Sequence, residues 1–264
     1  MRSRIPPMDI NLLVVNIGNT RVGFGLFEQG ELSKIVRVAI GDKSSLVSQL
    51  QECWGKIATS RQPAVCGASV NPAVLKSVDQ SIFEVTGQNV EWIGTDIDLP
   101  IKVLTKNPQQ TGVDRILTMA AAFEQIEKAC VVVDAGTAIT VNVCNGQGEF
   151  MGGAILPGLQ LMLASLHEKT AGLPKVDFEV PTVAIGTDTV EAIRVGMYLG
   201  IRGMVKEIVE AYATELGSWP DLIATGGDAE KLFGGWELVH AVSPDLVFYG
   251  IALAYTNHYI KHGE

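Results

Sequence analysis

One pattern occurs twice in this chain and limits what it can fold into more than any other feature. "VVNIGNTRVGFGLFEQGEL" begins at Val14, and "VVDAGTAITVNVCNGQGEF" begins at Val132, 118 residues further on. Each copy has Val-Val, a polar residue (Asn16 or Asp134), one more residue and a glycine (Gly18 or Gly136). Each then runs through alternating apolar positions to a Gly-Glu pair, Gly30-Glu31 or Gly148-Glu149. An apolar run that stops at a glycine turn and returns with period two is the pattern of a β-hairpin. Hairpins resemble one another, so the match alone leaves coincidence open. A true duplication implies two similar units facing a shared cleft, each offering a turn of backbone N–H groups, a natural place for a polyphosphate.

The segments around the two hairpins alternate between strand and helix, so the expected class is α/β. In the first half, "SKIVRVAI" reads as a strand and "KSSLVSQLQECWGKIAT" as a helix opened by Ser44 or Ser45. "QPAVCGASV" is a strand, and Asn71 with Pro72 opens a second helix as cap and first residue. "NVEWIGT" is a further strand, and "GVDRILTMAAAFEQIEK" a long helix. In the second half, the Pro157-Gly158 turn feeds a helix, "TDTVEAIRVGMYLGIRGMVKEIVEAYATEL" supplies two more, "DLIATGG" is a strand, "DAEKLFGG" a short helix and "PDLVFYGIALAYTNHYIKHG" an amphipathic terminal helix. With 264 residues, two domains are expected, 1–127 and 128–264.

Composition narrows the partners. Twenty basic against 29 acidic residues leave a formal net charge of −9, which repels a nucleic-acid backbone, and no basic patch offsets it. An acidic protein still binds an anion such as ATP where metal ions and N–H groups supply the positive field. Cys53, Cys66, Cys130 and Cys144 lack zinc-ligand or C-x-x-C spacing and read as buried, reduced thiols. His167, His240, His258 and His262 lack metalloprotease spacing and read as surface or helix-end residues, and the four tryptophans read as packing. The apolar run after the basic N-terminus, "INLLVV", is too short for a signal peptide or a membrane span. A cytoplasmic protein is expected, with a start at Met1 or Met8.

Four motifs carry chemistry, each beside an ordinary alternative. "DAGTAIT" ends a very apolar strand with the carboxylate of Asp134, which either caps the turn or binds a cation, since an unpaired buried carboxylate is costly. "TGVDRI" puts Asp114 and Arg115 at a helix start, either as a routine first-turn acid and a surface base or as a general base beside an anion-binding arginine. "GGAILPGLQ" has glycines that permit either a tight strand-to-helix turn or close approach to a ligand. "ATGGDAEKL" leaves Gly226 and Gly227 bare where a flat base could lie.

Together with "NIGNTR", "NPQQTGVDRI", "LHEKTAGLP", "IGTDTVEAIRVG" and "PDLVFYGIALAY", these motifs resemble the type III pantothenate kinases of bacteria, of the acetate and sugar kinase, Hsp70 and actin superfamily. The resemblance implies a duplicated ribonuclease-H-like fold with an interdomain nucleotide cleft, a homodimer, and γ-phosphoryl transfer from ATP to the hydroxyl of pantothenate. It also implies a divalent cation such as magnesium and a monovalent cation, potassium or ammonium. By motif, Asp114 is the proton acceptor, and Gly112, Val113 and Arg115 line the pantothenate site with Thr105. Thr189 reaches pantothenate from the neighbouring subunit. Gly18, Asn19, Thr20 and Arg21 wrap the phosphates, Gly136, Thr137, Gly226 and Gly227 hold the nucleotide, and Asp134 binds the monovalent cation.

The departure from the family pattern is Asn16, where an aspartate is expected beside the metal-bound nucleotide; Asn142 likewise stands where family members commonly have aspartate. A charge about 5 Å from a divalent ion is worth roughly 2 to 6 kcal/mol, so its loss slows the reaction by roughly one to four decades. The amide oxygen still accepts a hydrogen bond. Three readings follow: a working kinase, a catalytically weak relative acting as a binding or regulatory protein, and a kinase for another small hydroxy acid.

Overall fold

The computed structural model describes residues 10–262; the alternative start at Met8 lies outside them. The chain divides into two compact units. The first comprises the described residues up to Lys102, Lys106–Gln125 and the stretch from Leu246 onward; the second comprises Val103–Thr105 and Ile126–Asp245.

The first unit contains β1 (Leu12–Ile17), β2 (Arg21–Glu28), β3 (Glu31–Ala39), α1 (Lys43–Ile57), β4 (Ala64–Ser69), α2 (Pro72–Thr86), β5 (Glu91–Trp92) and α3 (Val113–Ile126). The second contains β6 (Cys130–Ala135), β7 (Ala138–Cys144), β8 (Phe150–Pro157), α4 (Leu159–Lys169), α5 (Thr189–Leu216), β9 (Asp221–Thr225), α6 (Ala229–Phe233) and β10 (Ala241–Val242). The last helix, α7 (Leu246–His262), packs in the first unit, against β1 and β4.

The sheets have one topology: β3-β2-β1-β4-β5 in the first unit and β8-β7-β6-β9-β10 in the second, each a meander of three antiparallel strands followed by parallel additions. The duplication expected from the repeat is therefore real, and it reaches the details. In both meanders the register slips once at the same place, between Leu26 and Phe27 and between Val143 and Cys144. The near turns differ by one residue: Ile17 pairs with Val22, whereas Ala135 pairs with Ile139. The far turns make up the difference. Gln29 and Gly30, both at positive φ, form a two-residue hairpin turn, while Asn145 pairs with Glu149 around a three-residue loop with Gly148 at φ 75, the two commonest hairpin solutions.

Alternation along each first strand separates two faces. Leu13, Val15 and Ile17 pack with α1 and α2 around Leu50 and Ile57. Leu12 and Val14 point to the other face, where Leu117 of α3 and Phe248 and Ile251 of α7 cover them. In the second sheet Val131, Val133, Leu222 and Ala224 pack under α4, α5 and α6.

Several local expectations need correction. Helix α1 is capped by Asp42, whose carboxylate accepts from the Ser45 N–H at 3.0 Å; Ser44 and Ser45 lie inside its first turn. The segment read as two helices is one, α5, because Ile193, Ile201, Val205 and Val209 make a continuous apolar seam past Gly196, Gly200 and Gly203. Gly152 and Gly153 lie within strand β8, so the turn of that motif is at Gly158 alone. Trp219 is exposed, unlike the other three tryptophans. His240 lies at the surface as expected, its Nδ1 accepting from the Leu222 N–H at 2.9 Å; the side chain of His262 lies outside those described. All four cysteines are buried and outside any disulfide, with the Cys130 and Cys144 sulfurs 3.4 Å apart.

Candidate active site

In the first unit the β1–β2 turn is closed by the Gly18 N–H donating to the Arg21 carbonyl at 3.0 Å, and anchored sideways by the Ile40 N–H on the Thr20 carbonyl. Asn19, Thr20 and Arg21 are exposed, and Asn16 is half-buried on the strand just before them. Asn16 pairs with Gly23 on one side and Ala68 on the other, so its amide belongs to the same face as Leu12 and Val14.

Asp114 occupies the first turn of α3. Its Oδ1 accepts from the Arg115 N–H at 2.8 Å. Burial pushes its carboxyl above the usual carboxylate range, against the opposing pull of the Arg115 N–H and the Arg115 charge. Gly112 is required here: a Cβ at that position would stand 2.7 Å from Asp114 Oδ1. Glycine at 112 thus leaves room for the Asp114 carboxylate, with Val113, Asp114 and Arg115 all half-buried. A carboxylate desolvated in this way binds a proton more strongly, which suits a base acting near neutral pH.

In the second unit the equivalent turn gathers more of the candidate residues. The Gly136 N–H donates to the Ala138 carbonyl. Gly226, at φ +96, lies so close to Asp134 that a side chain there would overlap Oδ1, and would stand 2.6 Å from the Ala135 carbonyl oxygen. Gly136 flanks Asp134 Oδ1 more loosely, at 3.7 Å from its would-be Cβ. Thr137 is exposed at the turn. Asp134, Gly136, Thr137 and Gly226 therefore form one cluster at the ends of β6 and β9, with Gly227 exposed beside it.

Two residues outside the candidate set complete the cluster. Gly158 caps α4 from directly above the turn: its N–H donates to the Thr137 carbonyl at 3.1 Å, and any side chain would overlap the Gly136 and Thr137 carbonyl oxygens. Asp228 caps α6, and its N–H donates to the Ala135 carbonyl at 3.0 Å. The first unit has the matching bond, from the Val70 N–H to the Ile17 carbonyl, just before Asn71 at the start of α2. Extending the repeat beyond its hairpin to the strand-to-helix turns at Asn71 and Asp228 is the signal that finds Asp228.

The face of the second sheet that carries Asp134 also carries Thr140, Thr225 and Asn142, by register. Asn142 is fully buried, and its Nδ2 donates to Thr140 Oγ1 at 2.9 Å. The glycine at 153 brings β8 close beneath it, since a Cβ there would stand 2.9 Å from Asn142 Oδ1. Thr105 belongs to this unit too. The Leu104 N–H donates to the Phe150 carbonyl at 2.8 Å, and the Thr105 methyl lies 3.7 Å from the bare side of Gly152. Thr189 stands apart, exposed on the first turn of α5, where the Asp188 carboxylate accepts from the Glu191 N–H and the Glu191 carboxylate accepts from the N–H and hydroxyl of Thr187.

The sequence profile of a family described as Type III pantothenate kinase matches residues 12–211. A protein of Dehalococcoides mccartyi strain CBDB1 named Type III pantothenate kinase is 34% identical over 251 residues, covering 92% of this chain and 95% of that one. One of the same name from Syntrophotalea carbinolica is 32% identical over 250 residues, covering 92% and 98%. Among solved structures, component A of the (R)-2-hydroxyglutaryl-CoA dehydratase of Acidaminococcus fermentans superposes with a TM-score of 0.54 at 14% identity, covering 97% of this chain and 100% of that one. MreB 5 of Spiroplasma citri, bound to AMPPNP, also scores 0.54, at 13% identity, covering 98% and 100%. These two share the fold, the duplicated ribonuclease-H-like fold of actin, Hsp70 and sugar kinases.

Proposed function

The chain belongs to the type III pantothenate kinase family, and we propose that the chemistry of that family runs here through the residues described above. The protein transfers the γ-phosphoryl group of ATP to the hydroxyl of pantothenate. The observation that carries the assignment of roles is the Asp114 carboxylate, desolvated by burial and packed against Gly112 beside Arg115.

In this reading the pantothenate hydroxyl loses its proton to Asp114 as its oxygen bonds to the γ-phosphorus, and the bond to the ADP oxygen breaks. Arg115 pairs with an anionic group of the substrate, and Gly112, Val113 and Thr105 shape its pocket. Thr189 of a second copy completes it. Positioning and charge stabilisation suffice for such a transfer, with no covalent enzyme intermediate. The N–H groups of Gly18 to Arg21 and of Gly136 and Thr137 receive phosphate oxygens, and the bare Gly226-Gly227 edge receives the base.

A divalent cation neutralises charge on the phosphates. Asn16 would offer such an ion an amide oxygen in place of a carboxylate, the remaining ligands coming from phosphate and water. The oxygen donors at Asp134 and Ala135 suit potassium or ammonium. A homodimer is supported by apolar side chains exposed on the second unit, Ile155 at 63% and Ile185 at 80%. A cytoplasmic location is supported by four buried cysteines that form no disulfide.

Steady-state assays with pantothenate, ATP, magnesium and potassium test the reading. Turnover is expected, and its persistence in an Asp114→Ala variant would overturn the role given to that carboxylate.

A further inference from the structure

Three glycines of the first unit, Gly23, Gly25 and Gly250, lie outside every site described so far, and all three mark contacts of one helix. A Cβ on Gly23 would stand 2.8 Å from Cζ of Phe248, and one on Gly25 would stand 2.8 Å from Cδ1 of the same ring. The fully buried Phe248 thus lies flat along β2, on the strand that follows the Gly18–Arg21 turn and beside Gly23, the cross-strand neighbour of Asn16. Two residues further along α7, Gly250 meets α3: a side chain there would overlap the Leu117 carbonyl oxygen and stand 2.9 Å from the Leu117 Cβ. Leu117 is one helical turn beyond Asp114. At the first contact the Phe248 ring fills the space that side chains on Gly23 and Gly25 would take, and at the second the Leu117 backbone fills that of Gly250, so both are packed without a gap.

We infer that α7 is the strut that sets the phosphate-binding hairpin relative to the general base, with Phe248 and Gly250 as its positioning residues. The inference rests on the kinase reading above and deepens it. Packing against glycine holds both elements to within a fraction of an ångström, and a 1 Å error in such an arrangement costs on the order of 100-fold in rate.

The test uses the full-length protein with active-site titration, so that loss of folded enzyme is not counted as loss of rate. Gly250→Ala is expected to lower kcat/KM for pantothenate by about 10- to 100-fold. It also moves the acid limb of the pH profile to lower pH as water reaches Asp114, which the Arg115 charge faces. Phe248→Leu is expected to raise KM for ATP several-fold, and adding Gly25→Ala, whose methyl fills the vacated space, is expected to recover most of it. A folded Gly250→Ala variant with parental kcat/KM and an unmoved limb would overturn the inference. If that variant does not fold, a parental KM for ATP in Phe248→Leu overturns it instead. No turnover of pantothenate and ATP by the parent protein would remove the kinase reading itself, and full activity in Asp114→Asn would remove the base role of that carboxylate, whatever α7 does.

Discussion

Asn16 and Asp134 hold the same position in the two copies of one sheet. Each is the penultimate residue of the first strand, each faces away from the paired helices of its own unit, and each is followed at two residues by the glycine of a hairpin turn. One copy has kept its carboxylate and the other carries an amide of nearly the same shape.

Because the two side chains are isosteric, Asn16→Asp restores a charge without moving the strand. We expect kcat/KM for magnesium-bound ATP to rise by about tenfold or more, with the gain largest at low magnesium. Steady-state kinetics across a magnesium series check this, and equal or lower activity would show that the amide is not a handicap in this chain.

Asp114→Asn is expected to abolish turnover while making the protein more stable at neutral pH. The sign follows from its raised pKa: ionising this carboxyl costs more in the folded than in the unfolded chain, so stability present below the unfolded value of about 3.9 is lost as pH rises through the folded value. The amide carries no such cost. Thermal melts at pH 4 and pH 8 decide it; the advantage of the variant should be present at pH 8 and shrink toward pH 4.

Gly226→Ala strains the backbone at φ +96 and overlaps the Asp134 carboxylate, so a loss of roughly 1–3 kcal/mol is expected, together with a weaker response of activity to potassium. Gly227→Ala meets open space, and so leaves the melting temperature near that of the parent while weakening ATP binding if the base lies there. Melting curves and ATP titrations of the pair separate the two glycines.

Gly55→Ala tests the scaffold alone. Gly55 lies inside α1 with nothing near its missing side chain, so the alanine should stabilise the fold by about 0.5–1 kcal/mol with unchanged kinetics. A loss of activity would place α1 in the site, contrary to the assignment made here.

The sequence by itself determined the α/β class and the motifs, because these depend on local periodicity and on residue types that only a few backbone shapes accept; it pointed to the duplication, which the matching sheet topologies then decided. Gly-Asn-Thr after Asn16 and Gly-Thr after Asp134 announce turns whatever surrounds them. The pressure of Asp114 against Gly112 and of Asp134 against Gly226 could not be read, since those pairs gain their meaning from distances that only packing sets. The same holds for the single helix α5, where three exposed glycines argued for a break and a buried seam of isoleucines and valines outweighed them. It holds above all for α7, which comes last in the chain and packs on the first sheet: hydrophobic burial has no memory of sequence order, so a helix joins whichever face has the room and the apolar surface to receive it, here the glycines of β2 and the Leu117 turn of α3.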